Sequence, residues 1–168
     1  MTIYYTGRGD KGKSEMGEKK IAKDHPLFEL LGTLDELSSW LGVCRYKKLK
    51  QIQEDLFIAQ AEIGMKAMGR RYTLRVTRSM TERLQREIMA IDKVVPQIKK
   101  FIIPGASELS AKLDYARALA RRAERAAVRA KASPELLQYL NRLSSMLFAL
   151  ARLVNFRLKF KEENPKYR

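Results

Sequence analysis

A glycine-rich segment near the N-terminus has residue types suited to binding phosphate. Residues 7–14 read Gly-Arg-Gly-Asp-Lys-Gly-Lys-Ser, which satisfies the phosphate-binding loop pattern of two glycines separated by four residues and followed by Lys and Ser. Glycines let backbone N–H groups turn toward one point, and Arg8, Lys11 and Lys13 add positive charge for a polyanion. The pattern predicts a nucleoside triphosphate ligand.

The surroundings of this segment differ from those of a phosphate-binding loop in an α/β nucleotidase. Such a loop follows a buried strand and opens a helix. Here only residues 1–5 precede it as a candidate strand, and residues 15–20 make a poor first helical turn. A mobile basic N-terminal arm is therefore the alternative interpretation.

Two later segments carry polar side chains at helical spacing. One cationic face consists of Arg117, Arg121, Glu124 and Arg125. Like charges four residues apart are unfavourable unless an anion lies opposite them. A second, mixed stripe consists of Asn141, Ser145, Phe148, Arg152 and Asn155. Each stripe is either a solvated surface or the wall of a site for a ligand or another chain.

Side chains for nucleophilic or metal chemistry are scarce. The chain has one His and one Cys, so neither a zinc cluster nor a Ser-His-Asp triad is expected. His25 is interpreted as a residue at the start of a helix and Cys44 as a buried core thiol. No protein-held metal site is predicted.

The remaining pattern is helical. With 168 residues, 45% hydrophobic and 32% charged, the chain suits one all-α domain. Apolar residues recur every three or four positions, and no alternating strand pattern appears beyond residues 1–5. The predicted helices cover about 26–46, 49–68, 77–95, 107–130 and 134–161. Short connections favour antiparallel neighbours, so we expect a five-helix bundle. It comprises residues 25–163, with residues 1–24 as a short nucleotide-binding segment.

A formal net charge of +15 is compatible with nucleic acid, an anionic membrane surface or a small polyanion as partner. The Lys and Arg residues are scattered and do not alternate with aromatic residues, which disfavours a nucleic-acid platform. No apolar run approaches a membrane span or a signal peptide, and a lone Cys fits a reducing compartment. We expect a cytoplasmic protein without a nucleic-acid or membrane partner.

Five segments together resemble the PduO-type ATP:cob(I)alamin adenosyltransferases, in the order that the family has them. They are residues 6–12, 32–37, 101–105, 121–125 and 139–148. The resemblance implies an enzyme that transfers the 5′-deoxyadenosyl group of ATP to cob(I)alamin, with triphosphate leaving. It also implies a homotrimer of five-helix bundles with active sites at subunit interfaces, Mg²⁺ bound through the ATP phosphates, and a possible reductase and adenosylcobalamin-dependent acceptor enzyme as partners.

The resemblance also assigns residues to ATP. The segment that wraps the triphosphate corresponds to Thr6, Gly7, Gly9, Asp10, Gly12, Ser14 and Lys23, to which Lys13 adds a further expected contact. Arg121 matches the catalytic arginine that contacts the phosphates. Glu124 and Asn141 match residues that hold the adenosine moiety.

Three residues correspond to the corrinoid side of the site. Asp35 and Arg117 match a salt bridge that forms between subunits beside the corrinoid. Phe101 matches the aromatic residue that blocks the lower axial face of cobalt, which makes reduction of Co(II) to Co(I) easier.

Several positions depart from the family pattern. They are Lys13, Ser38, Ala106 and Ser145, and the link between the fourth and fifth helices is about one turn short. Ser145 replaces a usual Asp and leaves Arg142 or Arg152 without an expected partner. A non-catalytic, basic helical module that binds nucleotide or nucleic acid is the alternative function.

Overall fold

The structure is a computed structural model that describes residues 4, 7–71 and 73–167. Five α-helices dominate it, as the sequence predicts. The elements are β1 (Lys13–Met16), β2 (Lys19–Ala22), α1 (Pro26–Val43), a single 3₁₀ turn (Lys47–Leu49), α2 (Lys50–Ala67), α3 (Arg78–Asp92), α4 (Glu108–Arg129) and α5 (Pro134–Arg157). Within the described ranges, no helix is both long enough and apolar enough to cross a membrane.

The starts of three helices follow the capping signals in the sequence. The His25 ring nitrogen Nδ1 accepts a hydrogen bond from the Leu27 N–H at 3.1 Å, with Pro26 at the first helical position of α1. This confirms His25 as a helix-start residue. Ser107 and Ser133 cap α4 and α5 through their hydroxyl oxygens. Each cap satisfies a backbone N–H that has no partner inside the helix.

The ends of α1 and α5 come earlier than the predicted ends near residues 46 and 161. Helix α1 stops at Val43 and α5 at Arg157. Shortly after each end a residue other than glycine adopts a left-handed conformation, with φ 47° at Arg45 and 58° at Lys159. Such a residue ends a helix, but Arg and Lys give no sequence signal for it.

Strands β1 and β2 form an antiparallel hairpin that contradicts the expectation of no strand beyond residues 1–5. Lys13 pairs with Ala22 and Met16 with Lys19. The turn contains Gly17 at φ 62°, a conformation that glycine adopts without a steric penalty. The hairpin was missed because its strands are short and mostly exposed, which leaves only a weak apolar alternation.

The most extensive contacts between helices join α2 to α1, α1 to α4, α4 to α5 and α5 to α3. Leucine is the commonest residue of the core, and fully burying one contributes about 1.5–3 kcal/mol. On α4 the core face is instead a ridge of fully buried alanines at Ala116, Ala120, Ala123 and Ala127. These small side chains let α4 approach its neighbours closely, which brings its polar face near α5. Cys44 is buried, as predicted for a core thiol.

A buried polar cluster joins α2, α3 and α5. The Asp55 carboxylate accepts a hydrogen bond from the Tyr139 hydroxyl at 2.7 Å and forms an ion pair with Arg83. Burial raises the pKa of the Asp55 carboxyl, while Tyr139 and Arg83 act in the opposite direction. Burial and the nearby carboxylate raise the pKa of Tyr139 well above its ordinary value. The cluster fixes α3 against the bundle.

Candidate active site

An open cleft of about 680 Å³ lies between α4, α5 and the loop of residues 96–105, here called the rim loop. Its lining combines basic and aromatic side chains, a composition that suits an anion attached to a flat apolar group. The lining includes Lys99, Lys100, Phe101, Arg117, Arg121 and Phe148. The fold therefore brings three predicted site residues, Phe101, Arg117 and Arg121, to one opening.

The two arginines project from one face of α4, one turn apart. The Arg121 side chain is exposed, and the Arg121 backbone carbonyl accepts a hydrogen bond from Arg125 at 3.1 Å. Arg117 is half-buried, and its Nε atom is buried without a hydrogen-bond partner among the described residues. Two guanidinium groups beside an open cleft suit a polyanion, since Arg binds phosphate oxygens in a bidentate manner.

Glu124 and Asn141 meet one turn farther along the same two helices. The Asn141 amide donates a hydrogen bond to the Glu124 carboxylate at 2.9 Å. The Asn141 backbone carbonyl accepts hydrogen bonds from the hydroxyls of Ser144 and Ser145. The carboxylate and the amide keep hydrogen-bonding capacity for hydroxyl or amine groups of a ligand. The fold thus pairs the two residues that the resemblance assigns to adenosine.

Phe101 lies on the rim loop with 78% of its surface exposed. Its backbone carbonyl accepts a hydrogen bond from the Asn164 amide at 2.7 Å, and the Ile103 N–H donates to the Glu163 carbonyl at 2.8 Å. The far end of the loop is held by Asp114, whose carboxylate accepts from the Gly105 N–H at 3.2 Å. Partial burial raises the pKa of Asp114.

Residues after α5 therefore support the rim loop, and sequence reasoning missed them. The segment of residues 158–167, here called the tail, follows the last helix without any apolar periodicity. A polar segment of that kind gives no signal of which loop it will contact. Glu162 and Asn164 are two of these residues: Glu162 accepts a hydrogen bond from Arg152, and Asn164 donates one to the Phe101 carbonyl.

The N-terminal segment forms a local loop in front of the hairpin. The Asp10 N–H donates to the Gly7 carbonyl at 3.4 Å, and the Lys23 N–H to the Gly12 carbonyl at 2.9 Å. Gly7 and Gly12 adopt φ angles of 68° and 73°. A Cβ atom at Gly9 would lie 3.0 Å from the Lys23 Nζ, so this ammonium group lies against the loop.

This segment stays apart from the α4–α5 cleft within one chain. None of the described predicted ATP residues of the N-terminal segment lines the cleft; they are Gly7, Gly9, Asp10, Gly12, Lys13, Ser14 and Lys23. Lys13 and Ser14 belong to β1, and Thr6 lies outside the described residues. Their contact with a triphosphate stays a prediction.

Asp35 and Arg117 do not form an ion pair within the described part of the chain. Asp35 is exposed on α1. Its neighbour Glu36 forms an ion pair with Arg122 of α4, and this pair connects α1 to α4 within the chain. The predicted bridge joins two subunits and is not tested by a single chain.

The two arginines that the Ser145 departure concerns differ in their contacts within the described structure. Arg152 donates to the Pro96 carbonyl at 3.0 Å and to the Glu162 carboxylate at 3.2 Å. The Nε atom of Arg142 is buried and has no hydrogen-bond partner among the described residues. Arg152 is therefore paired with an acidic residue of the tail, Glu162.

Metal-binding side chains are not clustered around the cleft. Across the part of the chain that the structure describes, no group of three or more His, Cys, Asp or Glu residues could hold a metal ion. Divalent cations that accompany nucleotides are usually bound largely by phosphates and water.

Comparisons with known proteins show which sequences and structures this chain resembles. The cobalamin adenosyltransferase family model matches residues 4–154. A corrinoid adenosyltransferase of Bacillus subtilis (strain 168) is 36% identical over 169 residues, which cover 91% of this chain and 86% of that protein. The corrinoid adenosyltransferase PduO of Citrobacter freundii is 37% identical over 88% of this chain, which spans only 48% of that relative.

A solved structure is similar over nearly the whole chain. It is a variant PduO-type ATP:corrinoid adenosyltransferase from Lactobacillus reuteri, complexed with cobalamin and ATP. The TM-score is 0.91 at 30% sequence identity, and the match covers 97% of this chain and 96% of that one.

Proposed function

This chain belongs to the cobalamin adenosyltransferase family, and we propose that the α4–α5 cleft is its active site. The protein transfers the 5′-deoxyadenosyl group of ATP to cob(I)alamin, which yields adenosylcobalamin and triphosphate. One observation carries the assignment of the cleft. Arg117, Arg121 and Phe101 line one opening, a helical turn from the hydrogen bond between Glu124 and Asn141.

The chemistry explains why the chain lacks a nucleophilic triad. The electron pair of Co(I) attacks the ribose C5′ carbon and forms the Co–C bond. The C5′–O bond breaks, and its electron pair leaves with the triphosphate. Because the substrate is itself the nucleophile, the protein must supply alignment, neutralisation of the leaving group and exclusion of water.

Arg121 is the residue to which we assign neutralisation of the triphosphate. Its guanidinium is exposed on the cleft and can approach an anion without breaking an ion pair of the described structure. Stabilisation of charge that develops on a leaving group is among the largest single contributions to enzymatic rate. Mg²⁺ would be bound chiefly by the phosphate oxygens, since the described residues offer no cluster of metal-binding side chains.

Glu124 and Asn141 are assigned to the adenosine moiety. Glu124 lies about 4.5 Å along the α4 axis from Arg121, as three residues of helical rise predict, and Asn141 of α5 is hydrogen-bonded to Glu124. A nucleotide with its phosphates at Arg121 can therefore extend its sugar or base toward this pair. Arg117, one turn before Arg121 on α4, and Phe101 of the rim loop are left for the corrinoid.

We propose a homotrimer whose active sites lie between neighbouring chains. Two observations support this assembly. The described N-terminal segment does not line the cleft of its own chain. In a trimer it can instead contribute to the cleft of a neighbouring chain. Arg117 also has a buried Nε atom without a partner in the described structure, which suits an acidic residue such as Asp35 from another chain.

The reaction also requires other proteins. A reductase must supply the Co(I) state, and an adenosylcobalamin-dependent enzyme is the expected acceptor of the product. We place the reaction in the cytoplasm, where ATP is available. An acidic reductase would be attracted by the formal net charge of +15.

An absorbance assay tests the activity directly. Purified protein is mixed with ATP and chemically reduced cobalamin under anaerobic conditions, and the visible spectrum is followed. Conversion of the cob(I)alamin spectrum to that of adenosylcobalamin, with one triphosphate released per product, is the expected result. Binding of ATP or nucleic acid without any conversion of the cob(I)alamin spectrum would instead indicate the non-catalytic module.

A further inference from the structure

The tail contacts the rim loop at several points. Arg152 of α5 donates from Nη1 to the Pro96 carbonyl and from Nε to the Glu162 carboxylate, at 3.0 and 3.2 Å. The Glu163 carbonyl accepts from the Ile103 N–H at 2.8 Å, and the Asn164 amide donates to the Phe101 carbonyl at 2.7 Å. We call Arg152, Glu162, Glu163 and Asn164 the tail clamp.

The ion pair between Arg152 and Glu162, which forms the base of the tail clamp, is shielded from solvent. The side chains of Arg152 and Glu162 are only 14% and 18% exposed. The second oxygen of Glu162 accepts from the Asn155 amide at 3.2 Å, and Asn155 in turn accepts from the Ser107 hydroxyl at 2.9 Å. A charged pair with these additional hydrogen bonds is held in one geometry, unlike an exposed surface pair. The base of the clamp is therefore fixed to the ends of α4 and α5.

Asn164 and Glu163 of the tail clamp determine where Phe101 lies. The Phe101 ring is 78% exposed, so packing against its own chain does little to fix it. Its position depends on the loop backbone, which Asn164 and Glu163 hold on both sides of Ile102. Without those hydrogen bonds, an irregular loop with a mostly exposed ring has many alternative conformations.

We propose that Asn164 and Glu162 are positioning residues for the reaction, because the clamp holds Phe101 in the place where it meets the corrinoid. This proposal rests on the proposed function of the cleft. It assigns to the tail a role in corrinoid binding and reactivity but none in ATP binding. The ATP residues Arg121, Glu124 and Asn141 make no hydrogen bond with the clamp in the described structure.

The expected effect is selective for the corrinoid. A displacement of about 1 Å at a reacting group can lower a rate by as much as about 100-fold. We expect Asn164→Ala to lower kcat/KM for cob(I)alamin by about 10-fold, and the KM for ATP to change by less than about two-fold. Glu162→Gln should have a smaller effect of the same kind, because glutamine keeps hydrogen-bonding capacity but loses the ion pair.

A double-mutant cycle tests the proposal on the full chain. The variants are Phe101→Ala, Asn164→Ala and the double variant, assayed with ATP and chemically reduced cobalamin. If Asn164 acts through Phe101, the double variant loses no more kcat/KM than Phe101→Ala alone. Losses that multiply, or an unchanged Asn164→Ala enzyme, would overturn the proposal.

A second pair of variants controls for the general stability of the tail. Glu162→Gln is compared with Glu163→Gln, whose side chain is exposed and whose contribution to the clamp is a backbone carbonyl. We expect only Glu162→Gln to raise the KM for cob(I)alamin, and equal effects would overturn the proposal. Failure of the wild type to form adenosylcobalamin would instead refute the proposed function, so the two failures are distinguishable.

Discussion

Arg121 is exposed at the centre of the cationic face of α4, and this position makes its chemical role separable from a structural one. Arg121→Ala should lower kcat by about 100- to 1,000-fold, because one strong charge-stabilising contact to the leaving group is lost. The melting temperature should stay close to that of the wild type, since no core contact is removed. Turnover of the purified variant in the absorbance assay measures the effect.

Arg129→Ala is the matched control for this prediction. Arg129 is an exposed residue two turns farther along α4, and it does not line the cleft. Its replacement removes one positive charge of the same kind, so any effect of net charge alone would appear here too. Retention of most activity by Arg121→Ala, or an equal loss in both variants, would refute the assigned phosphate role.

Residues on regular helices could be assigned from the sequence, whereas their partners on irregular segments could not. Spacing by three and four placed Arg117 and Arg121 on one face, and the structure brings both to the cleft. Glu124 and Asn141, which the family resemblance assigns to adenosine, are hydrogen-bonded to each other in the structure. The contact of Asn164 with the Phe101 carbonyl had no signal, because both residues lie outside any periodic element.

At the scale of elements, Asp55 connects α2 to α3 and α5. Asp55→Ala should lower the free energy of unfolding by about 2–3 kcal/mol, because it leaves the Tyr139 hydroxyl and Arg83 without their partner. Denaturant unfolding followed by circular dichroism measures the change. Glu54→Ala, at the exposed neighbouring position, should stay within about 0.5 kcal/mol of the wild type. Equal stability of the two variants would show that the cluster does not fix α3.

The same carboxylate gives stability an unusual pH dependence. Burial raises the folded-state pKa of Asp55 above its ordinary value of 3.8. The folded state therefore holds this proton more tightly, and the contribution to stability is fully present below about pH 3.8 and lost as the pH rises through the raised pKa. The stability of the wild type relative to Asp55→Asn should fall over that range. If the stability of the wild type relative to Asp55→Asn instead increased with pH, the raised pKa of Asp55 would be contradicted.

The type and order of the helices could be predicted because each has a strong apolar period and several have clear caps. Ser107 and Ser133 marked the starts of α4 and α5 correctly. The hairpin was missed because it buries little apolar surface. The ends of α1 and α5 were misplaced because Arg45 and Lys159 adopt left-handed conformations without a sequence signal.

At the scale of the whole molecule, the proposed trimer depends on contact between Asp35 of one chain and Arg117 of another. Asp35→Arg should weaken the trimer and lower activity, since two cations would face each other in the interface. Arg117→Asp should do the same with two carboxylates. The double variant restores opposite charges and should recover the trimer. Size-exclusion chromatography with light scattering reports the mass of each assembly.

The outcome of the double variant decides the interpretation. Recovery of the trimer by the two reversals together indicates direct contact between the residues. If each single variant remains trimeric, or if the double variant is weaker than either single variant, then the two side chains do not meet across the interface. Activity that is lost while the trimer persists would restrict the role of Arg117 to the corrinoid.

A crystal structure of the protein with ATP and cobalamin bound tests the central claim most directly, because it locates both substrates at once. We expect the triphosphate to contact Arg121 and the glycine-rich segment of a neighbouring chain. The adenosine should contact Glu124 and Asn141, and the corrin ring should lie in the α4–α5 cleft with Phe101 against its lower face. A nucleotide or corrin bound away from this cleft, with Arg121 in solvent, would contradict the account.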